Sequence, residues 1–179
     1  MRADVIVVGA GQAGCAAAFD LAAAGKKVLL LDKPLAKPCA GGVTIKALRR
    51  LRFSIDALVR ERPLQLALSL NGWRPLHWEL DSPMCVLVER AQLDAFCRER
   101  ACDMGVEQIT IRQLLTARQD DKGVTLTTDA GTWQAPLVIA ADGAHSPMRR
   151  LLVGGEKAAG AYAIEAKLQR EKANRYPGM

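Results

Sequence analysis

The stretch of sequence that decides the fold is DVIVVGAGQAGCAAAFDLAAAGKKVLLLD, residues 4–32. Residues 4–8 and 27–32 have the apolar runs that predict two short buried strands. The residues between them, 12–24, are small and favour a helix, and Gly25 follows where a helix C-terminal cap is expected. A strand, a helix and a strand within about 30 residues predict a βαβ unit, whose two strands run parallel.

The turn after the first strand carries the spacing G-x-G-x-x-G, formed by Gly9, Gly11 and Gly14. In dinucleotide-binding folds the first glycine permits a tight turn, the second lets the backbone approach a pyrophosphate, and the third allows helix and strand to pack closely. The N–H groups that open the helix, including that of Ala13, favour phosphate charge together with the helix dipole. Asp32 ends the second strand, where it can accept hydrogen bonds from a ribose and would repel the 2′-phosphate of NADP. The motif predicts a bound dinucleotide and leaves FAD and NAD open.

A hairpin is predicted further along the chain. Leucines alternate with polar or small residues over 64–70, and apolar residues alternate again over 76–80. The dipeptide Asn71-Gly72 lies between these runs and is a strong hairpin signal. Trp73 and Trp78 fit two interpretations, the lining of an apolar substrate cavity or ordinary packing of the sheet.

The remaining pattern completes an α/β fold, with a Rossmann-type unit, a parallel sheet and added antiparallel strands. Thr44 is a candidate cap for a short helix, and Ser146 followed by Pro147 has the N-cap pattern of another. A strand is also expected over 162–168. The other predicted elements are short strands at 85–88, within 106–132 and at 137–140, and a helix that ends at Gly105.

Composition excludes several classes of protein. The net charge is +6 without a dense basic run interleaved with aromatic residues, so nucleic-acid binding is not expected. The five cysteines form no C-x-x-C pair and there are two histidines, so neither a disulfide framework nor a metal site is expected. A reducing, cytoplasmic location fits this cysteine usage best. No apolar run is long and uninterrupted enough to predict a transmembrane span or a signal peptide.

Four segments together resemble the geranylgeranyl reductase family, a branch of the FAD-dependent flavoproteins that include aromatic hydroxylases. They are the fingerprint at 4–14, KPCAGG at 37–42, VERAQLD at 88–94 and VIAADGAHS at 138–146. Three of them are shared across the wider superfamily, and only residues 37–42 point to the reductase branch. The resemblance runs from residue 3 to about 168.

This resemblance implies FAD as the cofactor and reduction of carbon–carbon double bonds in a polyprenyl group as the activity. It implies that Gly41 and Gly42 lie near the flavin ring, where Cys39 either assists proton delivery or packs. It also implies that Arg90 contacts the flavin pyrophosphate or ribityl chain. Asp142 and Gly143 would contact the flavin chain or hold the cofactor loop.

The resemblance further implies an external electron donor such as NADPH or ferredoxin, an apolar prenyl substrate and peripheral contact with a membrane. An aromatic hydroxylase and a non-catalytic flavin- or nucleotide-binding fragment remain the alternatives. Residues 1–60 and 84–153 are expected to form a discontinuous FAD-binding domain, and 61–83 and 154–179 part of a substrate-side antiparallel sheet. The later Gly-Asp segment of the family has no counterpart here, so the fold is expected to be truncated before its C-terminal portion. Self-association through exposed sheet edges is therefore expected, and activity of this chain alone is left open.

Overall fold

The computed structural model describes residues 3–33, 39, 41–71 and 74–154. The chain divides into two compact units, residues 1–36 with 94–161, and residues 37–93 with 162–179. The division at residue 93 falls within a helix, α3 (Arg90–Asp103). The expected FAD-binding and substrate-side boundaries stay a prediction. The strand expected at 162–168 lies outside the described residues.

The first unit is built on the predicted βαβ motif. Strand β1 (Val5–Val8), helix α1 (Gln12–Ala23) and strand β2 (Val28–Asp32) follow one another, and the two strands pair in parallel from Val5 with Val28 to Val8 with Leu31. Every residue of β1 and β2 is buried, as expected for strands of a parallel sheet covered on both faces. Gly25 follows the helix with φ +77°, in the left-handed conformation typical of a helix C-terminus.

Two later strands complete this parallel sheet. Strand β8 (Glu107–Thr110) pairs with β2, and strand β12 (Leu137–Ala140) pairs with β1, giving the order β12-β1-β2-β8. The carboxyl ends of β1, β2 and β12 therefore meet at one edge, the position at which α/β sheets bind ligands.

A three-stranded antiparallel sheet and a short helix belong to the same unit. The strands are β9 (Leu114–Asp120), β10 (Gly123–Thr128) and β11 (Gly131–Ala135), and helix α4 spans Pro147–Leu152. Alternate residues of β10 are buried. One hydrophobic core contains buried residues of both the parallel and the antiparallel sheet. Its members include Ile6, Leu29, Leu126, Trp133 and Met148. The N-cap at Ser146 is as predicted, since Ser146 Oγ accepts the N–H of Arg149 at 2.9 Å.

The second unit contains two small antiparallel sheets. One sheet has β7 (Cys85–Val88) at its centre, between β3 (Gly42–Thr44) and β4 (Val59–Glu61). The other is the predicted hairpin of β5 (Gln65–Leu68) and β6 (Leu76–Glu79). The unit also contains helix α2 (Ile45–Leu48) and a short 3₁₀ helix (Asp56–Leu58). Thr44 caps α2 as predicted, since its Oγ1 accepts the N–H of Ala47 at 3.2 Å.

The hairpin differs in detail from the simplest form of an Asn-Gly turn. Pairing ends with Leu68 opposite Leu76, whereas a two-residue Asn-Gly turn would place Leu68 opposite Pro75. Asn71 has φ +54°, the left-handed conformation that suits asparagine. Trp73 lies outside the described residues.

Candidate functional site

The glycine turn lies directly at the carboxyl end of β1. Gly9 has φ +100°, and its N–H donates to the carbonyl of Leu31 at 2.7 Å. A Cβ placed on Gly14 would lie 1.8 Å from the Gly9 carbonyl oxygen, so helix α1 packs on the turn at a distance that only glycine permits. The structure thus gives Gly9 and Gly14 the turn and packing functions that the motif predicts.

The start of helix α1 has the features of an anion-binding site. Gly11 is its N-cap and makes no side-chain cap, and no acidic residue occupies the first turn. The first-turn N–H groups have no partner within the helix, and Gly11 is partly exposed while Ala13 is exposed. A pyrophosphate could accept these N–H groups without clashing with a side chain at Gly11 and would complement the positive end of the helix dipole.

Asp32 lies beside this turn, at the end of β2, and is 7% exposed. Its Oδ1 accepts the N–H of Ala10 at 3.3 Å, which is the only hydrogen bond of this carboxylate within the described part of the chain. The second oxygen keeps its accepting capacity for a ligand hydroxyl. The residues of this edge therefore fit the ADP portion of a dinucleotide: donors for the pyrophosphate and an acceptor for the ribose.

The segment after β12 forms the other side of the same edge. The N–H of Ala141 donates to the carbonyl of Val8 at 2.8 Å, and a Cβ on Gly9 would lie 2.5 Å from the Ala141 carbonyl oxygen. Asp142 Oδ2 accepts the N–H of Met148 at 2.9 Å and so holds the start of α4. Gly143 is exposed with φ +86° and open space around it. Asp142 thus has a structural function, whereas contact of Asp142 or Gly143 with the flavin stays a prediction.

The remaining predicted site residues belong to the second unit. A Cβ on Gly41 would lie 1.8 Å from the Val88 carbonyl oxygen, and the Gly41 carbonyl accepts the N–H of Val88 at 3.0 Å. The N–H of Gly41 donates to Cys39 Sγ at 3.4 Å, so the half-buried thiol and Gly41 form one local structure. Gly42 begins β3 and is exposed with open space where a side chain would stand.

Arg90 is the first residue of α3 and is partly buried. It therefore lies in the second unit, at the junction of β7 and the helix. The structure therefore groups Gly9, Gly11, Ala13, Gly14, Asp32, Asp142 and Gly143 within one unit, and Cys39, Gly41, Gly42 and Arg90 within the other.

Cys15 was not predicted to belong to the site, yet its thiol donates to the Ala10 carbonyl at 3.4 Å. Burial, followed by the proximity of Cys97, raises the pKa of Cys15 to about 12. A cysteine in a helix of small residues carries no spacing signal, so only the folded structure reveals its contact with the turn.

Comparison with known proteins identifies the fold and the cofactor. Residues 2–162 match the family model described as an FAD binding domain, and the chain belongs to this family. FAD is its cofactor. The chain is 34% identical over 155 residues to geranylgeranyl diphosphate reductase of Rhodobacter capsulatus, an alignment that covers 83% of this chain and 39% of the reductase. The resemblance noted from the four sequence segments is thereby confirmed.

Two solved structures share the fold. A geranylgeranyl bacteriochlorophyll reductase-like protein from Thermoplasma acidophilum superposes with a TM-score of 0.74 at 22% identity, covering 85% of this chain and 42% of that one. Anhydrotetracycline hydroxylase from Streptomyces rimosus gives 0.65 at 26% identity, covering 85% and 34%. The chain thus spans about two fifths or less of the length of these relatives. The predicted fold class is confirmed, and no helix among the described residues is long and apolar enough to cross a membrane.

Proposed function

We propose that this chain is the FAD-binding part of an oxidoreductase that reduces carbon–carbon double bonds in a polyprenyl group such as geranylgeranyl. The observation that carries the proposal is the 34% identity to geranylgeranyl diphosphate reductase over 155 residues. The KPCAGG segment at 37–42, which resembles the reductase branch of the superfamily, supports the same substrate class.

The residues of the first unit would bind and orient the cofactor. The first-turn N–H groups of α1 would hold the pyrophosphate, and the free oxygen of Asp32 would hold the ribose. When bound, FAD would supply two-electron chemistry, with electrons from an external donor such as NADPH or ferredoxin and a hydride for one carbon of the alkene. A proton must reach the other carbon, which turns the double bond into a single bond.

Cys39 is the candidate source of that proton. Its sulfur accepts the N–H of Gly41, which fixes the sulfur and leaves the S–H free to donate. The open space at Gly42 would let a flat ring system approach the backbone. Both assignments rest on the resemblance of residues 37–42 to the reductases.

The hairpin offers an apolar surface for a prenyl chain or a membrane. Leu66 faces Trp78 and Leu68 faces Leu76 across the two strands, so all four lie on one side of the ribbon. Leu76 is 64% exposed and Trp78 44%. An apolar substrate covering these side chains would remove apolar surface from water, and peripheral membrane contact is a second use of the same face.

A flavin-dependent hydroxylase is the second candidate, favoured by the similarity to anhydrotetracycline hydroxylase. The two reactions differ in their need for oxygen. The test is to load the protein with FAD, reduce it with dithionite without oxygen, and add geranylgeranyl diphosphate. A reductase will reoxidise the flavin and add two hydrogen atoms for each double bond reduced, as mass spectrometry of the product will show.

Reoxidation that occurs only after air is admitted, with oxygen in the product of an aromatic substrate, would support the hydroxylase instead. The experiment should be run on the 179-residue chain and on a C-terminally extended form. Cys39→Ala and Cys39→Ser, matched to Cys102→Ala as an exposed thiol control, will show whether Cys39 takes part. Because air reoxidises reduced flavin without any substrate, a non-catalytic binding module would be identified by bound flavin that yields neither a reduced prenyl product nor an oxygenated product in either form.

A further inference from the structure

Asp32 and Cys15 both form hydrogen bonds with the backbone of Ala10, a residue of the glycine turn, and these bonds fix the backbone conformation of the turn. Ala10 is 3% exposed, and both of its backbone polar groups have side-chain partners. Asp32 Oδ1 accepts its N–H at 3.3 Å, and the thiol of Cys15 donates to its carbonyl at 3.4 Å. The two partners come from different elements, the end of β2 and the start of α1. Ala10 is therefore fixed from both sides.

These two hydrogen bonds fix two successive peptide groups. The N–H of Ala10 belongs to the peptide that it shares with Gly9, and its carbonyl belongs to the peptide that it shares with Gly11. The described peptide bonds contain no cis form, and a planar trans peptide directs its C=O and N–H in opposite directions. The carbonyl of Ala10 points toward the buried thiol of Cys15. The N–H of Gly11, on the same peptide, therefore points away from Cys15. This N–H lies at the start of the helix, where the pyrophosphate is expected.

We propose that Asp32 and Cys15 are positioning residues that preset the glycine turn for the pyrophosphate of FAD. Asp32 would then have two functions on separate oxygens, with Oδ1 on the turn and the other oxygen on the ribose. Cys15 would not contact the ligand itself, because its function would be to orient the N–H of Gly11 toward the pyrophosphate. The inference concerns binding, so it stands whichever reaction the flavin supports.

The surroundings of Cys15 keep its thiol in the donating form. Cys15 is 1% exposed, and burial is the main reason that its pKa is raised to about 12. The negative charges of Asp32 and Asp94 add to this, whereas Arg98 opposes it. The S–H is thus present throughout the physiological range. Because S–H is a weak donor, the expected effect of losing it is small.

The test compares Cys15→Ser, which keeps a donor, with Cys15→Ala, which removes it, in the full 179-residue chain. Cys97→Ala is the matched control, since Cys97 is a similarly buried thiol on α3 outside the turn. FAD affinity is measured by titration, and the mobility of the Gly11 amide by nitrogen NMR relaxation without ligand. We expect Cys15→Ala to weaken FAD binding about two- to fivefold and to raise Gly11 mobility. We expect Cys15→Ser to stay near wild type in both.

Two results would overturn the assignment of Cys15. One is wild-type affinity and Gly11 mobility in Cys15→Ala. The other is equal weakening by Cys15→Ala and Cys97→Ala, which would indicate a general loss of packing. For Asp32, hydrogen exchange of the Ala10 amide in the FAD-free protein should remain slow in Asp32→Asn and become faster in Asp32→Ala. Equal exchange rates in these two variants would show that Asp32 does not hold the turn.

Discussion

Gly14→Ala should have two opposing effects on stability, because Gly14 lies in helix α1 and packs against the glycine turn. Gly14 lies in helix α1, where alanine is intrinsically favoured over glycine by about 1 kcal/mol. An added Cβ, however, would lie 1.8 Å from the Gly9 carbonyl oxygen and 3.3 Å from the Ala141 Cβ. Helix propensity alone predicts a more stable protein, and packing predicts a less stable one.

The magnitude follows from the displacement that the new atom requires. To reach the 3.0 Å below which Cβ contacts essentially do not occur, Cβ and oxygen must separate by 1.2 Å (3.0 minus 1.8). The obstructing atom belongs to the backbone, so α1 must move away from a turn held by β1 and β2. Overpacking of this kind costs about 3 kcal/mol at the upper end of its usual range. After the gain in helix propensity, we expect a net loss of about 2 kcal/mol in the free energy of unfolding.

Urea denaturation of the 179-residue chain measures this change, and FAD titration should show weaker binding in the same variant. Gly25→Ala is the matched control, because Gly25 has φ +77° but open space around it. It should lose only the strain of a left-handed alanine, about 1 kcal/mol, and keep its affinity for FAD. Gly14→Ala that is as stable as wild type, or more stable, would refute the packing argument.

Three further changes test separate parts of the structure. Asp32→Ala should weaken FAD binding by about 10- to 150-fold, because one hydrogen bond to a charged acceptor is lost. Unchanged affinity on titration would show that Asp32 does not bind the cofactor. Ser146→Ala should lower the free energy of unfolding in urea by about 1 kcal/mol, because the N–H of Arg149 loses its cap, and an unaltered midpoint would contradict that contact. Cys15 titrates near 9 when unfolded and at about 12 when folded, so the folded state keeps its proton longer and stability should fall as pH rises from 9 to 12. The slope is at most about 1.4 kcal/mol for each pH unit, and Cys15→Ser should flatten it; parallel pH profiles of the two proteins would count against the buried thiol.

The local patterns of the sequence were enough to predict the framework of the first unit and a helix cap in each unit. Alternating or continuous apolar runs, caps and glycines act over a few residues, so β1, α1, β2 and the caps at Thr44 and Ser146 could all be predicted with bounds within one or two residues. The glycine spacing together with Asp32 predicted a dinucleotide, because each of those residues has a distinct task near a pyrophosphate or a ribose. The resemblance of four segments, rather than their spacing, indicated FAD.

The tertiary structure decided what depends on contacts between distant residues. Strands β3 and β4 have only three residues each, too few to show a period, and they form because β7 pairs with them. The register of the hairpin places Leu68 opposite Leu76 and does not follow from the Asn-Gly dipeptide alone. Packing between facing apolar side chains also sets the register of two paired strands. Asp142 bonds the start of α4, and Cys15 and Asp32 both bond Ala10. Sequence spacing shows which residues can serve a function, whereas the direction of a carbonyl or a carboxylate is set only when separate elements pack together.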